Sequence, residues 1–129
     1  MKETYKKVKG FEKSYEVSNL GNVRSIDRYV RNQYGIVFRK GVQIKPHIDK
    51  DGYLRVNLCK NNISRTTRVH ILVAKAFLKN PEEKLIVNHK NSIRTDNRSK
   101  NLEWVTSSEN NFHTYLFGGK SKKYSKTLV

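Results

Sequence analysis

The residues of this 129-residue chain best equipped for chemistry lie between Asn88 and His113. His89 carries an imidazole whose ordinary pKa is near neutrality, so it can take a proton from water at physiological pH. Asn88, Asn110 and His113 offer oxygen and nitrogen atoms able to hold one divalent cation, and Asn101 brings an amide able to orient the imidazole. A base for an attacking water, with a cation on the scissile phosphate and the leaving oxygen, is the equipment of phosphodiester hydrolysis.

Those groups need elements to position them. Leu85, Ile86 and Val87 are strand formers that carry Asn88, His89 and Lys90 to a strand end. The stretch 91–100 has almost no apolar side chains and reads as a loop. Leu102 to Val105 is the return strand, with Trp104 as its large core anchor. Thr106-Ser-Ser-Glu109 fits a capping box, which predicts a helix running to about Phe117, where Gly118-Gly119 stops it. Asn110 and His113 lie three apart and share a face of that helix. Upstream, Val69, Leu72, Val73, Ala76 and Phe77 repeat as an amphipathic helical stripe, and Asn80-Pro81 ends it. His70, at its start, reads as a structural hydrogen-bonding group.

The N-terminal half reads as strands. Tyr15 to Val17 and Val23 to Ile26 flank an Asn/Gly cluster in the manner of a hairpin. Leu54, Val56 and Leu58 alternate with Arg55 and Asn57, the period of a half-buried strand, and Cys59 is expected half-buried beside them. Each polar group also has a plainer reading: His89 as a hydrogen-bonded strand-end side chain, Asn88 as a turn residue, Asn101 as a loop brace, Asn110 and His113 as a solvated helix face.

The formal net charge is +16. Residues 1–60 carry 14 basic and 6 acidic side chains, and residues 61–129 carry 13 and 5, so each half is equally basic. Charge spread in this way suits an extended polyanion touching most of the protein. Arg24, Arg28, Arg31 and Arg39 are interleaved with Tyr29, Tyr34 and Phe38, a mixture suited to a ribbon laid on DNA. Lys45, Arg55, Arg65 and Arg68 follow as further candidate contacts, and Lys90 and Arg94 flank the catalytic candidates. Arginine can read guanine edges while lysine mostly meets phosphate. The single cysteine, Cys59, excludes an intrachain disulfide and a zinc site built on a Cys pair. No apolar run is long enough for a membrane span or signal peptide, so an intracellular, non-secreted protein is expected.

Three stretches resemble the HNH endonucleases, more narrowly the phage and intron-encoded HNH homing endonucleases: VNHKN (87–91), NLEWVT (101–106) and ENNFH (109–113). His89, Asn101 and His113 fall at equal intervals of twelve. The likeness extends upstream through HILVAKAFLKNPEEKLIVNH (70–89) and GFEKSYEVSNLGNVRS (10–25), the latter similar to an element that precedes HNH domains. The resemblance implies an α+β protein with a basic antiparallel-sheet DNA-binding region over 1–58. A ββα-metal nuclease unit over 59–117 and a basic tail over 118–129 complete the expected organisation. It implies His89 as general base, Asn101 as its orienting partner, and one Mg²⁺ or Mn²⁺ ligated by Asn88 and by Asn110 or His113. Some relatives carry Asp where this chain has Asn88, and an amide is a weaker ligand for a hard cation than a carboxylate. Double-stranded DNA is the implied partner, nicked by a monomer or cut through both strands by a homodimer. Larger relatives carry a further DNA-binding module after the nuclease motif; without one, high sequence specificity is not expected. The competing readings are a DNA-binding protein without catalysis and an RNA-binding protein whose exposed aromatics stack bases.

Overall fold

The computed structural model describes residues 2–117, with side chains through His113. In chain order it comprises β1 (Tyr5–Lys7), β2 (Tyr15–Ser18), β3 (Val23–Ser25), β4 (Arg28–Asn32) and β5 (Gly35–Arg39). There follow β6 (Gln43–Ile44), β7 (His47–Ile48), β8 (Leu54–Lys60), β9 (Ile63–Arg68) and α1 (Val69–Phe77). The last elements are β10 (Ile86–His89), a 3-10 turn (Ser99–Asn101), β11 (Leu102–Val105) and α2 (Ser107–Phe117). The α+β class is the one expected. The expected tail over 118–129 lies outside the described residues.

The strands form four antiparallel units. One sheet has the order β1-β2-β3-β6, a second the order β7-β8-β9, and β4-β5 and β10-β11 are two-stranded pairs. The β8–β9 hairpin turns at Asn61 and Asn62, whose φ angles of 53° and 65° are the left-handed values that short hairpin turns require. Val56 and Leu58 point inward along β8 while Asn57 and Cys59 point outward. Cys59 is thus exposed rather than half-buried, because the pleat sends it to the side opposite Leu58.

α1 is the hub of the molecule. It packs on β1 and β2, on β8 and β9, and on β10 and β11. Val69, Val73 and Ala74 are fully buried there, and Val17, Val56, Leu58, Val87 and Leu102 from the surrounding strands are buried against them. One hydrophobic cluster therefore joins the N-terminal sheet to the β10–β11 unit, and each buried Val or Leu contributes roughly 1.5–3 kcal/mol. The position between residues 58 and 59 falls inside β8. α1 ends at Phe77, where Leu78 leaves helical geometry with its N–H bonded to the Ala74 carbonyl, three residues before Pro81. Leu85 is not part of β10; it is 85% exposed, and the strand begins at Ile86. No helix among the described residues is long and apolar enough to cross a membrane.

Candidate active site

All four residues of β10 are buried, because α1 covers one face of the β10–β11 pair and α2 covers the other. Successive side chains on a strand point to opposite faces. Val87 joins the cluster around α1, so His89, two residues on, shares that side. Asn88 is turned the other way, towards α2.

On the α1 side, His89 is 5% exposed and lies against His70 of α1, with ring centroids 4.8 Å apart. Tyr53 stacks on His70 at 5.0 Å and reaches His89 at 5.9 Å. The far side of this trio is cationic: the guanidiniums of Arg68 and Arg94 lie 4.3 and 5.1 Å from the Tyr53 ring centre. Burial pushes the His89 pKa down, and Arg94 adds to the effect, against the opposing pull of the Asn97 hydrogen bond and Asp96. Burial, with the neighbouring His89 ring and the Arg68 guanidinium, pushes His70 down to about 3. Both rings are consequently neutral at pH 7.

The ring of His89 is held by Asn97, a buried residue of the loop before β11. Nε2 lies 2.8 Å from Asn97 Oδ1, so the ring N–H donates there and Nδ1 keeps its lone pair. Asn101 does not perform that task. Its Nδ2 donates to the Asp96 carbonyl at 2.8 Å and to Asn91 Oδ1 at 2.9 Å, while its Oδ1 accepts the Asn91 N–H at 3.1 Å. It ties both ends of the 91–101 loop together, and so acts on His89 only through the loop that presents Asn97. The N-terminal half backs the same loop. Ser99 N–H donates to the Asn19 carbonyl at 2.8 Å. Gly21, at φ +93°, lies so close that a Cβ there would stand 3.0 Å from Asn97 Cβ. Arg94 Nη1 donates to the Asp51 carbonyl.

On the α2 side, Asn88 faces Glu103 across the strand pair, and its Nδ2 donates to Glu103 Oε2 at 2.8 Å. α2 begins with the expected reciprocal cap: Thr106 N–H donates to Glu109 Oε1 at 2.8 Å and Glu109 N–H to Thr106 Oγ1 at 3.2 Å. The helix so anchored buries Asn110 to 1% exposure, with Nδ2 lacking a hydrogen-bond partner. His113, one turn on, reaches the Lys90 carbonyl with Nε2 at 3.0 Å. Among the described residues no three His, Cys, Asp or Glu side chains gather as a metal cluster. What this face offers is hard oxygen: the amide carbonyls of Asn88 and Asn110 and the carboxylate of Glu103. That donor set fits a hard divalent cation such as Mg²⁺ or Mn²⁺ and not one preferring thiolate.

The cations expected to face DNA divide into two groups. Arg31, Arg39, Lys45, Arg65 and Lys90 are exposed. Others are engaged by the fold. Arg24 pairs with Glu16 at 2.8 Å and lies over the Tyr5 ring, and Arg28 donates to the Ile26 carbonyl at 3.1 Å. Arg55 and Arg68 are cross-strand partners that share Asp49, at 2.7 and 3.2 Å, and Arg68 also reaches Asp51. Burial alone would raise Asp49, but N–H groups of Tyr53 and Asp51 and the two guanidiniums bring it down to about 2. Arg68 is turned inward because two like charges in register require a shared counter-ion.

Sequence reasoning missed Tyr53, Asn97, Glu103 and the packing role of His70. Tyr53 and Asn97 sit in turns without periodicity, so nothing local marks them. Glu103 carried a usable signal: pairing His89 with Leu102 puts Asn88 opposite Glu103.

Comparison with known proteins bears on the same residues. A family model described as the NUMOD4 motif matches residues 3–59, and one described as HNH endonuclease matches residues 67–112. The DNA endonuclease I-HmuI of Bacillus phage SP01 is 41% identical over 102 residues, covering 79% of this chain and 52% of that protein. An HNH endonuclease of Acanthamoeba polyphaga mimivirus is 41% identical over 109 residues, covering 82% of this chain and 24% of the relative. A solved structure of the HNH homing endonuclease I-HmuI, concerned with DNA binding and cleavage, superposes with a TM-score of 0.73 at 36% identity. That match covers 95% of this chain and 66% of the other. The chain thus spans about half the length of its phage relative and about a quarter of the mimivirus one. With the two motifs in this order and both faces of the strand pair built as described, the chain belongs to the HNH endonuclease family and is similar to the homing endonuclease I-HmuI.

Proposed function

We propose that this protein is a divalent-metal-dependent DNA endonuclease that hydrolyses one phosphodiester bond per active site. The observation that carries the reading is the state of His89: neutral, buried, and fixed by Asn97 so that Nδ1 is the nitrogen able to accept a proton. His89 Nδ1 takes a proton from water as the water oxygen attacks phosphorus, and the bond from phosphorus to the 3′ oxygen breaks. Asn97 holds the ring in this tautomer, and Asn101 holds the loop that carries Asn97. Asn88 and Asn110 are the residues that would hold a cation on the α2 face, while His113 Nε2 meets the Lys90 carbonyl. A bound divalent ion supplies Lewis-acid stabilisation of charge on the scissile phosphate and leaving oxygen.

Duplex DNA is the partner the charge distribution fits. The β4–β5 ribbon presents Tyr34, Ile36, Phe38, Arg31 and Arg39 at exposed positions, away from the main core. Lys45, Arg65 and Lys90 are exposed as well, Lys90 directly after His89 at the end of β10. A monomer nicks one strand, and cleavage of both needs a second copy or a second binding event.

Purified protein with Mg²⁺ or Mn²⁺ converts supercoiled plasmid to the relaxed form, and EDTA stops the conversion. His89→Ala binds the same DNA at fixed salt without nicking it. Binding by the wild-type protein with no metal-dependent nicking would replace this reading by that of a non-catalytic DNA-binding protein. Preference for single-stranded RNA in competition would point to the ribbon aromatics as a base-stacking platform.

A further inference from the structure

We propose that Glu103 is the anionic ligand of the cation site on the α2 face, supplying the negative charge that Asn88 lacks. The inference rests on the metal-dependent reading above and names a ligand beyond it.

Glu103 is the direct cross-strand partner of Asn88, so their side chains leave the sheet on the same face. Their hydrogen bond runs from Asn88 Nδ2 to Glu103 Oε2 at 2.8 Å. With Nδ2 committed in this way, the remaining polar atom of Asn88 is its carbonyl oxygen, the atom able to ligate a hard cation. Glu103 keeps a second carboxylate oxygen. It is half-buried, and among the described residues it forms no ion pair, in a chain with 27 Lys and Arg against 11 Asp and Glu. The nearby basic residue Lys84 is engaged elsewhere, on Glu82 and Glu109. A half-buried carboxylate without a protein cation, facing a strand position occupied by an amide, is complementary to a bound cation. The helix over this face carries Asn110, 1% exposed, whose amide oxygen is a further neutral donor of the kind a hard cation takes. Two neutral amides alone would bind a hard cation weakly; one carboxylate beside them changes the charge of the site from zero to minus one.

The alternative for Glu103 is a brace that only orients Asn88. Glu103→Gln separates the two, because glutamine keeps a carbonyl oxygen to accept from Asn88 Nδ2 and loses only the charge. The test is Mn²⁺ binding to the full chain, followed by electron paramagnetic resonance of free Mn²⁺ and without DNA. Saturable binding by wild type that weakens at least tenfold in Glu103→Gln, at unchanged circular dichroism, is the expected result. Equal affinity in Glu103→Gln overturns the assignment of Glu103 and leaves metal dependence standing. Lack of saturable Mn²⁺ binding by wild type overturns both. Asn88→Asp gives a second readout that does not depend on the fold of the Gln variant. Two facing carboxylates lower its melting temperature in EDTA, and Mn²⁺ raises it by more than it raises wild type. An equal Mn²⁺-induced rise in the two proteins would also count against a carboxylate at position 103 ligating the ion.

Discussion

The two faces of the β10–β11 pair are built from different materials although one strand serves both. The α1 face is aromatic and cationic: His89, His70 and Tyr53 pack ring on ring, with Arg68 and Arg94 beyond them. The α2 face is made of amides and one carboxylate: Asn88, Asn110 and Glu103. Positive charge and burial on the first keep an imidazole neutral and so able to accept a proton. Oxygen donors on the second suit a cation. The alternation of a single strand is what separates them, since adjacent residues 88 and 89 cannot point the same way within it.

Changes to the α1 face should break this division most severely. His89→Ala removes the proposed base and should slow nicking by about 10²–10⁴-fold, with the DNA affinity measured in a gel shift retained. In wild type the acidic limb of the pH–rate profile should lie below pH 6.5, the ordinary histidine value, because the ring is already deprotonated there.

The next effect is on stability. The pKa of His70 is held at about 3 in the fold against 6.5 ordinarily, and His89 is shifted the same way. Below pH 6.5 the unfolded chain takes up protons that the folded chain refuses, so stability is full above that value and falls as pH drops towards 4. The carboxylates of Asp49 and Asp96, brought down to about 2, stabilise the fold fully above their ordinary 3.8 and lose that contribution only below it. Thermal melts between pH 7 and pH 4 should therefore show a falling midpoint, and His70→Phe should make the fall shallower. A midpoint independent of pH over this range would mean that the histidines are not buried as neutral rings.

Gly21 tests whether the N-terminal half shapes the α1 face. Gly21→Ala places a methyl group 3.0 Å from Asn97 Cβ on a backbone at φ +93°. It should cost about 1–2 kcal/mol in chemical denaturation, with a loss of nicking from displacement of Asn97. Thr106→Ala removes one half of the α2 cap and should cost about 1 kcal/mol with nicking otherwise intact.

Much of the frame was legible in the sequence because it rests on local physics. The alternation at Leu54, Val56 and Leu58, the stripe from Val69 to Phe77 and the reciprocal cap of Thr106 and Glu109 each state their element within a few residues. The site was legible less evenly. Motifs point to His89, Asn88 and Asn110 as candidates, but the hydrogen bond of the imidazole goes to Asn97 and not to Asn101. Asn97 and Asn101 lie in one polar loop, and which amide meets the ring depends on how that loop closes through Asn91 and Asp96. The inward turn of Arg68 depends on Asp49, nineteen positions away. Contacts of that range leave no periodic trace.

The most direct test of the division between faces is the protonation state of the His89 ring. Nitrogen-15 NMR of the imidazole from pH 4 to pH 8 should show a neutral ring protonated at Nε2 at pH 7, titrating below pH 6.5. A ring carrying its proton at Nδ1, or one still charged at pH 7, would contradict His89 as the base.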